Sequence, residues 1–107
     1  NRMMADIPGS NVVIVNPLHY AVALKWDRDK GATPVCVAKG VDEIAARIRE
    51  AAATAGVPIR RDPPTARSIY SLVDIGEEIK REHFAAVAAA IHYADEIQRK
   101  GKLQVSP

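Results

Sequence analysis

Along the first half of the chain two kinds of apolar pattern alternate, and each predicts a different element. Val12-Val13-Ile14-Val15 is an unbroken β-branched run, as expected of a short strand covered on both faces. Asn16-Pro17-Leu18-His19 interrupts it, and Tyr20 to Trp26 resumes an apolar run of strand length. Two such runs about so short a break predict an antiparallel hairpin, with Pro17 where its fixed φ suits the first central position of a turn. Asp27 to Pro34 is polar and reads as a loop, and Val35 to Ala38 reads as a third strand. From Val41 to Ala55 the period becomes helical, with Val41, Ile44, Ala45, Ile48 and Ala52 on one face. Gly56 and Pro58 then stop the helix.

Val57 to Arg60 predicts a short strand, which Pro58 confines to an edge or to the strand's first position. Asp62-Pro63 opens the next helix as an N-cap followed by Pro at the first helical position, with Ala66, Ile69, Tyr70 and Val73 facing inward. A last helix is expected from about Lys80 to Arg99, its apolar face formed by Phe84, Val87, Ala88, Ile91 and Ile97. The class is therefore α/β: a small mixed sheet of about four strands packed with about three to four helices. Residues 1–10 read as a polar lead-in closed by Pro8-Gly9-Ser10, residues 11–99 as the folded domain, and residues 100–107 as a frayed tail.

A length of 107 residues allows one core, and 48% hydrophobic with 26% charged residues is a globular balance rather than a disordered one. The formal charge of +2 comes from Lys and Arg mixed with Asp and Glu, as in Asp27-Arg28-Asp29-Lys30. Without a basic cluster interleaved with aromatics, no nucleic-acid partner is expected. Cys36 is the single cysteine, so no internal disulfide forms, and its place in an apolar run reads as a small buried hydrophobe in a reducing compartment. No run approaches the ~20 apolar residues that span a bilayer. His83 and His92 fit no common helical ligand spacing, and neither a metal nor a cofactor is expected. Asp42 and Asp62 read as a first-turn charge and a cap, and Arg60, Arg61 and Arg67 as a solvated face. Trp26 at a strand end suits a core lid or a contact point equally.

The break between the first two strands holds the candidate chemistry. Asn16 to Leu24, Asn-Pro-Leu-His-Tyr-Ala-Val-Ala-Leu, resembles the NPTHYAVAL signature of the FlhB/YscU family of flagellar and injectisome type III secretion proteins. Val37-Ala38-Lys39-Gly40, Gly56-Val57-Pro58-Ile59, Asp62-Pro63-Pro64-Thr65-Ala66-Arg67 and Ile75-Gly76-Glu77-Glu78-Ile79 resemble further family blocks in the same order. Tyr20 and the block from Asp62 look more like the flagellar branch.

The resemblance implies a single-turnover self-cleavage between Asn16 and Pro17 by asparagine cyclisation, with Asn16, Pro17 and His19 as the participating residues. Chemistry is compatible with this. The Asn16 side-chain nitrogen reaches its own main-chain carbonyl carbon in a five-membered ring, and a weak amide nucleophile needs held geometry and proton transfer. His19 is the nearest side chain of a type that commonly serves as general acid or base. Leu18 departs from the family's Thr and is expected to tune the turn. The resemblance further implies a cytoplasmic domain at the inner-membrane face, joined by residues 1–10 to a membrane region outside this sequence. Its implied role is switching of export substrate class. The implied partners are other export-gate components, export substrates or their chaperones, and a hook- or needle-length control protein. Two other readings stand beside it. One is an uncleaved docking module in which Leu18 slows or disables the cut, and the other is a small hydrolase using His19 with a carboxylate.

Overall fold

In the computed structural model, which describes residues 2–105 and side chains as far as 101, the two β-branched and apolar runs become strands β1 (Val12–Asn16) and β2 (Tyr20–Lys25). They pair antiparallel as the expected hairpin, from Val12 opposite Leu24 to Asn16 opposite Tyr20. Strand β3 (Val35–Val41) pairs antiparallel with β2, and β4 (Ile59–Arg61) pairs parallel with β1. The sheet order β3-β2-β1-β4 is therefore mixed, with β1 and β2 inside and the three-residue β4 at an edge, just after Pro58.

The period of two along β1 sorts its side chains between two cores. Val12 and Ile14 join Val22, Leu24 and Cys36 beneath helices α3 (Pro63–Leu72) and α4 (Phe84–Val105), which contribute Ala66, Ile69, Val87, Ala90 and Ile91. Val13 and Val15 face the other way, with Ala21, Ala23 and Ala38, against Ala45, Ile48 and Ala52 of α2 (Glu43–Ala55). Small residues on that face let α2 lie close, and at Gly40 the approach leaves no room for a Cβ beside Ile44. Cys36 is wholly buried, and that burial pushes its thiol to about 11, so it is the inert core residue its neighbours predicted.

The lead-in differs from expectation. Arg2–Ala5 forms a one-turn helix, α1, and Ile7–Gly9 a 3₁₀ turn. Ile7 is wholly buried in the α2-side core with Met3 and Met4 against it. Over the described residues 2–10 the lead-in is thus a packed segment, with Ile7 inside the α2-side core and Met3 and Met4 against it. Strand β2 stops one residue short of Trp26, whose amide donates instead to Asn11 Oδ1 at 2.8 Å while its indole Nε1 donates to the Ala32 carbonyl at 2.6 Å. Trp26 takes the core-lid role of the two the sequence allowed. It packs on the core and also lines a groove of about 420 Å³ with Pro34, Phe84, Ala88 and Ile91. Val41, expected on the face of α2, ends β3 opposite Tyr20. The last helix begins at Phe84, after a 3₁₀ turn at Arg81–His83, and continues to Val105, so the expected tail starts inside it and its final residues, 106–107, lie outside the described residues.

His83 is buried where α4 begins. The Lys80 N–H donates to its Nδ1 at 3.0 Å, which places the ring proton on Nε2, 2.8 Å from Ser68 Oγ. A second proton would have to displace the Lys80 bond. Desolvation lowers the His83 pKa, with the Glu82 carboxylate opposing and the Lys80 ammonium adding to the shift. Because the folded form resists a proton that the unfolded chain accepts below about pH 6.5, stability is full above that value and falls as pH drops towards the folded-state pKa. Denaturation midpoints taken from neutral pH downward should therefore decline more steeply for the parent than for His83→Gln. Parallel curves would contradict this.

Candidate active site

Asn16 is the last residue of β1, and its carbonyl accepts the His19 N–H at 2.8 Å, closing a β-turn with Pro17 and Leu18 at its centre. Pro17 is preset for that position, and the ladder from Val12 to Asn16 fixes the approach. The hydrogen-bonded oxygen belongs to the carbonyl joined to Pro17. The His19 N–H therefore sits where negative charge develops if a nucleophile adds to that carbon. The half-buried Asn16 side chain has no hydrogen-bond partner among the described residues, which leaves its amide nitrogen available to its own carbonyl carbon.

Both sides of the turn are clamped from outside the hairpin. The Val15 carbonyl accepts from the Asp62 N–H at 3.0 Å, and the His19 carbonyl from the Asp42 N–H at 2.8 Å. Behind β2, Tyr20 meets Tyr70 with ring centroids 5.0 Å apart. Lys39 lies over the Tyr70 ring and donates to its carbonyl at 2.9 Å, tying α3 to β3. The turn is therefore held by α3, β3 and the start of α2 as well as by its own strands.

Asp42 stands at the start of α2, as sequence reasoning had it, but it also meets His19, which that reasoning did not see. Read as a first-turn charge of α2, it makes no side-chain cap bond there. Its Oδ1 lies 3.4 Å from His19 Nδ1, with both side chains largely exposed. Such a pair adds only ~0–1 kcal/mol to stability, so its effect is on the orientation of the ring. Asp42 has φ +51°, and it is the one non-glycine residue with positive φ among the described residues. Backbone strain of this kind costs about 1–3 kcal/mol and persists only where the surroundings impose it. No local motif announces the contact, which follows from the pairing of Tyr20 with Val41.

The remaining candidates disperse. Leu18 is 73% exposed and contributes nothing to the core. Asp62 caps α3 through the Thr65 N–H, and Arg60 covers the Tyr93 ring at 5.2 Å. His83 is the buried residue already described, and His92 lies at the groove. Among the described residues no group of three or more His, Cys, Asp or Glu side chains is placed to hold a metal. No helix there is long and apolar enough to cross a membrane.

Comparison with known proteins identifies the family and supports the fold. The family described as FlhB HrpN YscU SpaS matches residues 1–94. The flagellar biosynthetic protein FlhB of Escherichia coli (strain K12) is 43% identical over 98 residues, covering 92% of this chain and 26% of that protein. The chain thus spans about a quarter of the length of the curated relatives it matches. The crystal structure of the cytoplasmic domain of FlhB from Shewanella putrefaciens superposes with a TM-score of 0.87 at 40% identity, over 94% of this chain and 78% of that one. An EscU C-terminal domain solved with an Asn-to-Ala substitution gives a TM-score of 0.82 at 29% identity, over 86% of this chain and 92% of that one.

Proposed function

The chain belongs to the FlhB HrpN YscU SpaS family, and on that premise we propose that it cuts its own backbone between Asn16 and Pro17 by asparagine cyclisation. The observation that carries the proposal is the turn itself, an Asn16 carbonyl polarised by the His19 N–H beside an Asn16 side-chain amide with no partner among the described residues. Asn16 Nδ2 adds to the Asn16 carbonyl carbon and closes a five-membered succinimide. The bond from that carbon to the Pro17 nitrogen breaks, Nδ2 gives up one proton, and the departing Pro17 nitrogen gains one. This reading assigns to His19, the imidazole nearest in sequence to the bond, the acceptance and return of a proton. The reaction turns over once, needs no cofactor, and follows first-order kinetics independent of protein concentration.

The break leaves the fold assembled. The piece ending at Asn16 includes Ile7 and Val12 to Val15, all buried, and fully burying a side chain of this kind contributes roughly 1.5–3 kcal/mol. Strand β1 also keeps β2 and β4 on its two sides. What changes is local: a succinimide or carboxylate at Asn16, a charged amine at Pro17, and freedom for both ends to move. In our reading this altered surface takes part in switching an export apparatus from one class of substrate to the next. Other export-gate components, substrates or their chaperones, and a hook- or needle-length control protein read it at the cytoplasmic face of the inner membrane. The FlhB relatives, named as flagellar, support that setting.

Intact mass under denaturing conditions tests the proposal. Two fragments divided between residues 16 and 17 are expected, because Asn16 and Pro17, the groups whose bonds change, are both present, and Leu18 is exposed rather than packed in the core. A single uncut mass, stable for days at neutral pH, would overturn self-cleavage and favour an uncleaved docking module.

A further inference from the structure

Asp42 carries backbone strain that neither the cyclisation nor the capping of α2 requires. Strain of this kind concentrates where function imposes a geometry. Here both polar groups of Asp42 are turned on one residue: its N–H meets the His19 carbonyl at 2.8 Å, and its carboxylate lies 3.4 Å from His19 Nδ1. Glycine would adopt this backbone without strain and supply the same N–H. What aspartate adds is the carboxylate.

We infer that Asp42 is a positioning residue for the cut, acting through His19; this rests on the self-cleavage proposed above. Its N–H fixes the far end of the Asn16–His19 turn. Its carboxylate accepts a hydrogen bond from Nδ1–H of the neutral ring, which holds the proton on Nδ1 and leaves the Nε2 lone pair free to take the proton from the Asn16 amide. The strained conformation aims carboxylate and N–H together, and the end of β3 and the first turn of α2 hold it in place. Asp42 touches no reacting atom.

Asp42→Gly keeps the N–H while removing both the strain and the carboxylate. It should unfold at a higher denaturant concentration than the parent and yet cleave more slowly, by about two- to fivefold, the scale an exposed charged pair supports. In a His19→Ala background the same substitution should leave the cleavage rate unchanged, since the carboxylate then has no ring to orient. Cleavage at the parent rate in Asp42→Gly, or an equal slowing with and without His19, would overturn the inference while leaving self-cleavage standing. Slower cleavage accompanied by lower stability would return Asp42 to a purely structural role. A parent that never cleaves would overturn both readings.

Discussion

Replacing Asn16 by Ala should leave a chain of one mass, uncut over any period in which the parent divides completely. The substitution removes Nδ2, the atom that forms the new bond, so cleavage should fall below detection rather than merely slow. The fold should survive. Asn16 is half-buried at the end of β1, its ladder bonds are made by the backbone, and its side chain has no partner among the described residues to lose. Stability should change by no more than about 0.5 kcal/mol, the usual range for substitutions outside a core or a hydrogen-bond network. The measurement pairs a mass spectrum over time with a denaturation curve. Cleavage persisting at the same bond would point to a contaminating protease and remove Asn16 from the chemistry.

The largest loss of stability is expected at Gly40, on β3 opposite Ala21. A Cβ there would collide with Ile44 Cγ2, while Ile44 Cβ would stand 2.8 Å away and its carbonyl carbon 3.1 Å away. Turning the Ile44 side chain moves Cγ2 but not Cβ, and a β-branched residue in a helix has one strongly preferred χ1. Helix α2 must therefore shift away from the sheet, over a face where Ala45, Ile48 and Ala52 are wholly buried. Overpacking of this kind costs about 1–3 kcal/mol, and the backbone involvement puts Gly40→Ala at the upper end. The melting temperature should fall by roughly 10–20 °C, at about 4–8 °C per kcal/mol for a domain of this size. Gly9→Ala is the control, since nothing lies within 4 Å of its added Cβ. Equal melting temperatures for the two variants would refute the steric argument.

The parts of this fold that could be read in the sequence are those set by neighbours in the chain. The hairpin is one, because a β-branched run, a proline turn and a second apolar run specify both strands and their antiparallel sense. The Asp62-Pro63 start of α3 is another, and the structure supplies its cap bond. The misreadings all involve partners distant in sequence. Ile7 lies in a lead-in read as polar and gains its place through the α2-side core, where it joins Ala45, Ile48 and Ala52. Trp26 leaves β2 because Asn11 offers its amide a better acceptor. Val41 belongs to a helical period by spacing and to β3 by pairing, and pairing wins through its ladder with Tyr20. Of the candidate site, Asn16, Pro17 and His19 were legible as one contiguous motif. Asp42 was not, since only the register of β2 against β3 brings it to His19.

The position of β1 also determines how the chain transmits force. Its five residues run between an antiparallel neighbour and a parallel one. A pull on the lead-in acts along the strand and loads both ladders in shear, so the bonds share the tension instead of failing one at a time as they would at a peeled edge. In the uncut chain the peptide bond after Asn16 lies in parallel with that arrangement. If the bond is cut as proposed, the ladders and the packing of Ile7 and Val12 to Val15 become the main coupling between the two pieces. Their attachment would then have a lifetime set by load, and the proposed cut would turn a permanent tether into a releasable fastener.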